Sequence, residues 1–184
     1  DTTDTINITV SDALSPNEWA TIKAKTGGTV TASGGFSAAL SQYASTTALE
    51  TNWDNAVTAN PNTAVAITDT KLTTSDHITA LNLVANDATH TGANAKITAT
   101  VEAALATLDV GNLKTASTDP IAYTVTDTDL VNADINDLNT LKGKTAGVVT
   151  IGDVTATASQ LSALSTGTSD NVTLSASGTT NTIA

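Results

Sequence analysis

The chain has 184 residues and a formal charge of −11, from 18 acids against 7 bases. All seven bases are lysine, so no guanidinium fork is present to grip phosphate, and the negative field repels nucleic acid and anionic lipid. The absence of cysteine removes disulfides, thiolate nucleophiles and zinc–thiolate sites together.

No apolar run is long enough to span a bilayer, and no basic segment leads into a short apolar one, so neither membrane insertion nor a signal peptide is expected. With no methionine even at position 1, the chain reads as a processed product or a piece of something longer.

Taken in chain order, the pattern is strand, helix, break, strand, helix, three times over. The first strand is Ile8-Thr9-Val10, ending in Ser11-Asp12. A helical stripe follows with Leu14, Trp19 and Ile22, opened by the capping box Ser15-Pro16-Asn17-Glu18. After Thr26-Gly27-Gly28 a second strand is expected over 29–32, then helices over 36–43 and 49–57.

Pro61 marks a turn, and the pattern restarts with Ala66-Ile67-Thr68-Asp69. A stripe of Leu72, Ile78 and Leu81 follows, with Thr73-Thr74-Ser75-Asp76 as a weaker cap, then a strand over 96–100 and a helix over 101–108. Pro120 precedes the third copy, Thr124-Val125-Thr126-Asp127, with its stripe Leu130, Ile135, Leu138 and Leu141. A strand over 148–151, a helix over 157–164 and a closing strand over 172–174 complete the chain.

The Asp12, Asp69 and Asp127 positions recur at intervals of 57 and 58 residues, which predicts one repeat domain, 1–184, with long repeats over 7–63, 64–121 and 122–179. Each repeat holds two strand–helix units too small to bury an apolar face alone. The expected fold is therefore an αβ solenoid of parallel strands and short helices, with a compact α/β or α+β domain as the alternative. The three strands that end in aspartate are expected in one parallel sheet. Trp19, Ile22, Ile78, Leu81, Ile135, Leu138, Leu161 and Leu164 are expected in its core.

Two readings attach to the recurring aspartates. They serve as turn or helix-cap acceptors, or Asp127, Asp129, Asp134 and Asp137 form a Ca²⁺ set, the one cofactor the residues suggest. No EF-hand loop is spelled out. His77 and His90 are the only imidazoles and are expected in surface or cap roles. Gly35-Phe36-Ser37-Ala38-Ala39 lacks the second glycine of a nucleophile elbow, so no enzyme is expected. With 39 threonines in the chain, Thr-x-Thr pairs in the strands bring an ice-binding surface into view as a remote alternative, although their spacing is irregular.

The repeats Val10-Ser11-Asp12-Ala13-Leu14, Ile67-Thr68-Asp69-Thr70-Lys71-Leu72 and Val125-Thr126-Asp127-Thr128-Asp129-Leu130, with Val148 to Asp153 and Ser159 to Leu164, resemble the Thr/Ala/Asp-rich arrays of giant secreted surface proteins of cyanobacteria and proteobacteria. The resemblance implies an extracellular or cell-surface location and a structural or adhesive role, and carries over no catalytic residue. It departs from that family by lacking glycine-rich calcium repeats.

The expected function is a non-catalytic structural module of an extracellular layer or fibre. It would associate with copies of itself, or with neighbouring repeats of a longer chain, through terminal strands carrying Ile6, Ile8, Val10, Val172, Leu174 and Ile183. The alternative is an adhesin-type binding module for glycan, mineral or a Ca²⁺-dependent partner.

Overall fold

The structure, a computed structural model, describes residues 4–176. It is a mixed α/β fold built from parallel sheets and short helices. Nine strands and six α-helices are formed by the described residues. They are β1 (Ile8–Val10), α1 (Pro16–Lys23), β2 (Val30–Ala32), β3 (Phe36–Ala38), α2 (Thr51–Ala59), β4 (Val65–Ile67), α3 (Ser75–Ala85), β5 (Ile97–Thr98), β6 (Thr100–Ala103), α4 (Leu105–Leu108), β7 (Ala122–Val125), α5 (Ile135–Lys142), β8 (Val149–Ala156), α6 (Ala158–Leu161) and β9 (Asn171–Ala176).

Local chemistry explains where the helices begin. Ser15 caps α1 and Glu18 reaches back to the Ser15 N–H at 2.8 Å, with Pro16 in the first turn where its missing donor costs nothing. Thr74 caps α3 by accepting the His77 N–H.

Every strand pair is parallel, and pairing follows chain order. Three sheets result, β1-β2, β3-β4-β5 and β6-β7-β8-β9, so the three strands that lead to Asp12, Asp69 and Asp127 fall in three sheets rather than one. The reason is a bend within several crossings of the chain. β2 and β3 are two halves of one crossing, as are β5 and β6, and the ladder changes partner at each bend. Single parallel bridges Leu14 to Phe36, Leu72 to Val101 and Leu130 to Val154 continue the pairing past the bends.

Those bridges also correct the helical stripes. Leu14, Leu72 and Leu130 lie ahead of their helices and extend the preceding strands, where they are buried at 7%, 0% and 2% exposure. The helix expected over 36–43 is β3 followed by a 3-10 turn at Leu40–Gln42. Gly35, at φ +88°, turns the chain so that Phe36 donates to the Ala64 carbonyl at 2.8 Å, and pairing with β4 outweighs helical spacing. Likewise the helix expected over 101–108 opens as strand β6 and becomes α4 only at Leu105.

One hydrophobic cluster runs from Leu14 to Val154. It is largely aliphatic, with one aromatic knot in which Trp53 meets Phe36, Tyr43 and the His90 ring edge-on, at centroid distances of 5.4, 5.1 and 5.7 Å. Trp19, Ile78, Leu81, Ile135 and Leu138 are buried as their periodicity predicts. Ile22, Leu161 and Leu164 are only partly buried. Leu161 and Leu164 lie at and just beyond α6, beside the last strand, where no further strand–helix unit covers them among the described residues.

Candidate functional site

The backbone of three crossings is held by a recurring side-chain device. Asp119 is buried, and its carboxylate accepts the Ile97 N–H of the previous crossing at 3.0 Å and the Ala116 N–H at 2.7 Å. Asp170 repeats this with the Val149 N–H at 2.9 Å and the Gly167 N–H. Asn60 does a similar task for the Ala32 N–H at 2.9 Å. In each case an Asx oxygen takes a strand donor that has no carbonyl opposite it.

A second device spaces neighbouring crossings. The Thr145 hydroxyl lies 2.9 and 2.5 Å from the carbonyl oxygens of Asp119 and Ile121 and accepts the Gly147 N–H at 2.7 Å. Thr26 does the same for Asp4 and Ile6, at 3.0 and 2.6 Å, and accepts the Gly28 N–H. A Cβ at Gly147 would stand 2.2 Å from the Ile121 oxygen, and one at Gly28 2.3 Å from that of Ile6, so only glycine permits the approach. These contacts establish that Asp4 and Ile6 occupy the places of Asp119 and Ile121.

That equivalence exposes the two ends. Ile121 is fully buried, yet Ile6 is 61% exposed. Leu174 stands four residues after Asp170, as Tyr123 does after Asp119; Tyr123 is 1% exposed and Leu174 48%. Ile6 lies just ahead of β1 and Leu174 on β9, the first and last strands described, so both are core-type positions without a neighbouring crossing among the described residues. Of the other residues expected at the ends, Ile8, Val10 and Val172 are half-buried, and Ile183 lies outside the described residues.

The recurring aspartates act across crossings rather than on their own helices. Asp69 accepts the Leu40 N–H at 2.6 Å, and Asp127 the Leu105 N–H at 2.8 Å, in each case the first residue of a short helical segment one crossing earlier. Asp12 is exposed, and its strand has no earlier crossing beside it among the described residues.

Asp127, Asp129, Asp134 and Asp137, joined by Asp109, line one open cleft of about 840 Å³ beside α4 and α5. Three of the five carboxylates are engaged by the protein itself: Asp127 by Leu105, Asp134 by the Val131 N–H at 2.7 Å, and Asp109 by the Asn112 amide at 2.9 Å. No group of three or more carboxylates or imidazoles among the described residues is gathered closely enough to hold a metal ion.

Both imidazoles are occupied by backbone. His77 Nδ1 accepts the Thr73 N–H at 3.1 Å, and His90 Nε2 lies 2.7 Å from the Thr63 carbonyl oxygen, which makes it the protonated nitrogen. Ser37 sits within β3, paired to Ala66. All five aromatic side chains are buried, so none is presented as a stacking platform for a sugar ring. No helix among the described residues is long and apolar enough to cross a membrane.

The Asp170 junction carries a pH dependence. Burial pushes its carboxyl pKa up, but Lys142 Nζ at 2.8 Å and the Gly167 and Val149 N–H groups outweigh that and hold it below the usual value. The folded pKa lies below the unfolded one, so the stabilisation is present above about pH 3.8 and is lost as pH falls through the folded value. The melting midpoint of the parent chain should exceed that of an Asp170→Asn variant at neutral pH, with the difference shrinking as pH drops below about 3.8. A difference that stays constant into acid would refute the assignment.

Comparison with family models, with curated proteins and with solved structures finds no match.

Proposed function

We propose that the chain is a non-catalytic structural module, an αβ solenoid that stacks end to end into an extracellular layer or fibre. The observation that carries this reading is the pair Ile6 and Leu174, two core-type positions left 61% and 48% exposed at opposite ends of a series of parallel crossings. The outer edge of β1 and the outer edge of β9 are different surfaces that run in the same direction. A contact between them is heterologous, and when the rotation does not close it propagates into an open filament.

Charge favours ends over sides. At −11 the lateral faces of two copies repel one another, a repulsion screened beyond about 10 Å in 0.1 M salt. Contacts between ends rest on backbone pairing and apolar burial, which salt affects little. The threonines of the sheet form no unbroken row, because Ala66 interrupts Ser37 and Thr98, and Glu102 precedes Thr124 and Thr150. That irregularity weighs against an ordered-water surface.

Light scattering of the purified chain in low and moderate salt tests the reading. Assemblies are expected in both, and they should fall to monomer with Leu174→Lys and with deletion of residues 171–184, while circular dichroism stays native for the point variant. A parent chain that remains monomeric under every condition, or assembly untouched by both changes, would overturn it.

A further inference from the structure

Resting on that end-to-end reading, we infer that Asp4 is the register-setting acceptor of the junction, and that its carboxylate takes the Val172 N–H of a second copy of this chain. Asp119 and Asp170 show what this position does inside the molecule. Each accepts the N–H of the residue directly opposite on the previous crossing, Ile97 and Val149. Asp4 shares the backbone setting of Asp119: its carbonyl accepts Gly27 N–H at 2.8 Å and the Thr26 hydroxyl, as that of Asp119 accepts Ala146 N–H and the Thr145 hydroxyl. No crossing precedes Asp4 among the described residues, so the donor must come from another strand.

The available donors on β9 follow from parallel pairing. Thr155 donates to the Leu130 carbonyl, so Val154 faces the other way, toward β9, and its register partner Leu174 points away from β8. Alternation then directs the N–H groups of Val172, Leu174 and Ala176 outward. The stagger inside the molecule selects among them. Tyr123 stands opposite Val149, and Val149 opposite Asp170, while Tyr123 is four residues beyond Asp119; two crossings therefore shift the register by four residues. One crossing shifts it by about two. Two residues beyond Asp170 is Val172. With Val172 opposite Asp4, Leu174 falls opposite Ile6 and Ala176 opposite Ile8. The two exposed apolar side chains are then adjacent cross-strand neighbours, which is where a pair of such residues stabilises a sheet.

The absence of cysteine makes the register measurable. In this register Thr5 lies opposite Thr173, and both are exposed. Neighbouring strands put opposite Cα atoms about 5 Å apart, within disulfide range, whereas a residue two further along is about 8 Å away and outside it. A chain carrying Thr5→Cys and Thr173→Cys should oxidise into a ladder of covalent multimers, and a Thr5→Cys, Ser175→Cys chain should not. Asp4→Ala should weaken association about tenfold or more, as expected for loss of a charge-assisted hydrogen bond, while Asp4→Asn, which keeps an acceptor as Asn60 does, should retain most of it. Cross-linking through Ser175 in place of Thr173, or Asp4→Ala assembling like the parent, would overturn the register inference while leaving end-to-end stacking intact. Failure of the parent chain to associate at all would remove both.

Discussion

Replacing Trp53 with alanine should destabilise the fold by about 3–5 kcal/mol, the range for truncating a large buried aromatic. Trp53 is fully buried at the centre of the aromatic knot, edge-on to Phe36, Tyr43 and His90. Its removal leaves a cavity lined by three rings in an otherwise aliphatic interior, where few side chains are large enough to collapse into the space. Its indole Nε1 has no hydrogen-bond partner within the protein, so the residue is retained for volume and shape rather than for that donor. Trp53→Phe should therefore cost well under half as much, because it keeps a ring and removes the unpaired N–H. Denaturant midpoints at constant slope check both variants. Equal losses for alanine and phenylalanine would show that the indole nitrogen, not the packing, matters.

Removing the Asp119 carboxylate should be nearly as damaging. Asp119→Ala strands two backbone donors, the Ile97 and Ala116 N–H groups, at about 1–3 kcal/mol each, for a total of about 2–6 kcal/mol. The Ile97 N–H opens β5, in the crossing that pairs with β7 through β6, where water cannot replace the lost oxygen without opening the junction between the fourth and fifth crossings. Asp119→Asn keeps one acceptor and should lose about half as much. The equivalent change at Asp170, beside the last described strand, should free β9 without unfolding the rest. Hydrogen exchange resolves the pattern: protection should fall across β5 to β7 for the Asp119 variant and only around β8 and β9 for the Asp170 variant. Identical profiles would refute the equivalence of the two sites.

Both effects depend on features with different visibility in the chain. The x-[Ser/Thr]-[Ser/Thr]-Asp-x-[Ile/Val] pattern that marks the device recurs at Thr2-Thr3-Asp4-Thr5-Ile6, Ser117-Thr118-Asp119-Pro120-Ile121 and Thr168-Ser169-Asp170-Asn171-Val172. So does Lys-x-Lys-Thr-x-Gly, at Lys23 to Gly28 and Lys142 to Gly147. These are short polar strings without an apolar period, and they fall outside the strand-to-helix echo at Asp12, Asp69 and Asp127. Their role is visible only once the Thr hydroxyls are seen to reach the neighbouring crossing.

By itself the amino-acid sequence determined the features whose causes are local. The capping box at Ser15 and Glu18, the spacing of Ile78 and Leu81, the glycine breaks after α1 and α5 and the alternation around β7 each act within a few residues, and each element stands where that chemistry places it. Tertiary structure decided what depends on a partner far along the chain. Leu14, Leu72 and Leu130 have helical spacing but extend strands, because pairing with Phe36, Val101 and Val154 satisfies their backbone and buries them at once. Asp69 and Asp127 cap helical segments 29 and 22 residues earlier, a relation set by the stagger of the crossings. Burial of an apolar position was decided the same way: Ile121 and Ile6 have the same backbone setting, and only the presence of a neighbouring crossing puts one in the core and leaves the other exposed.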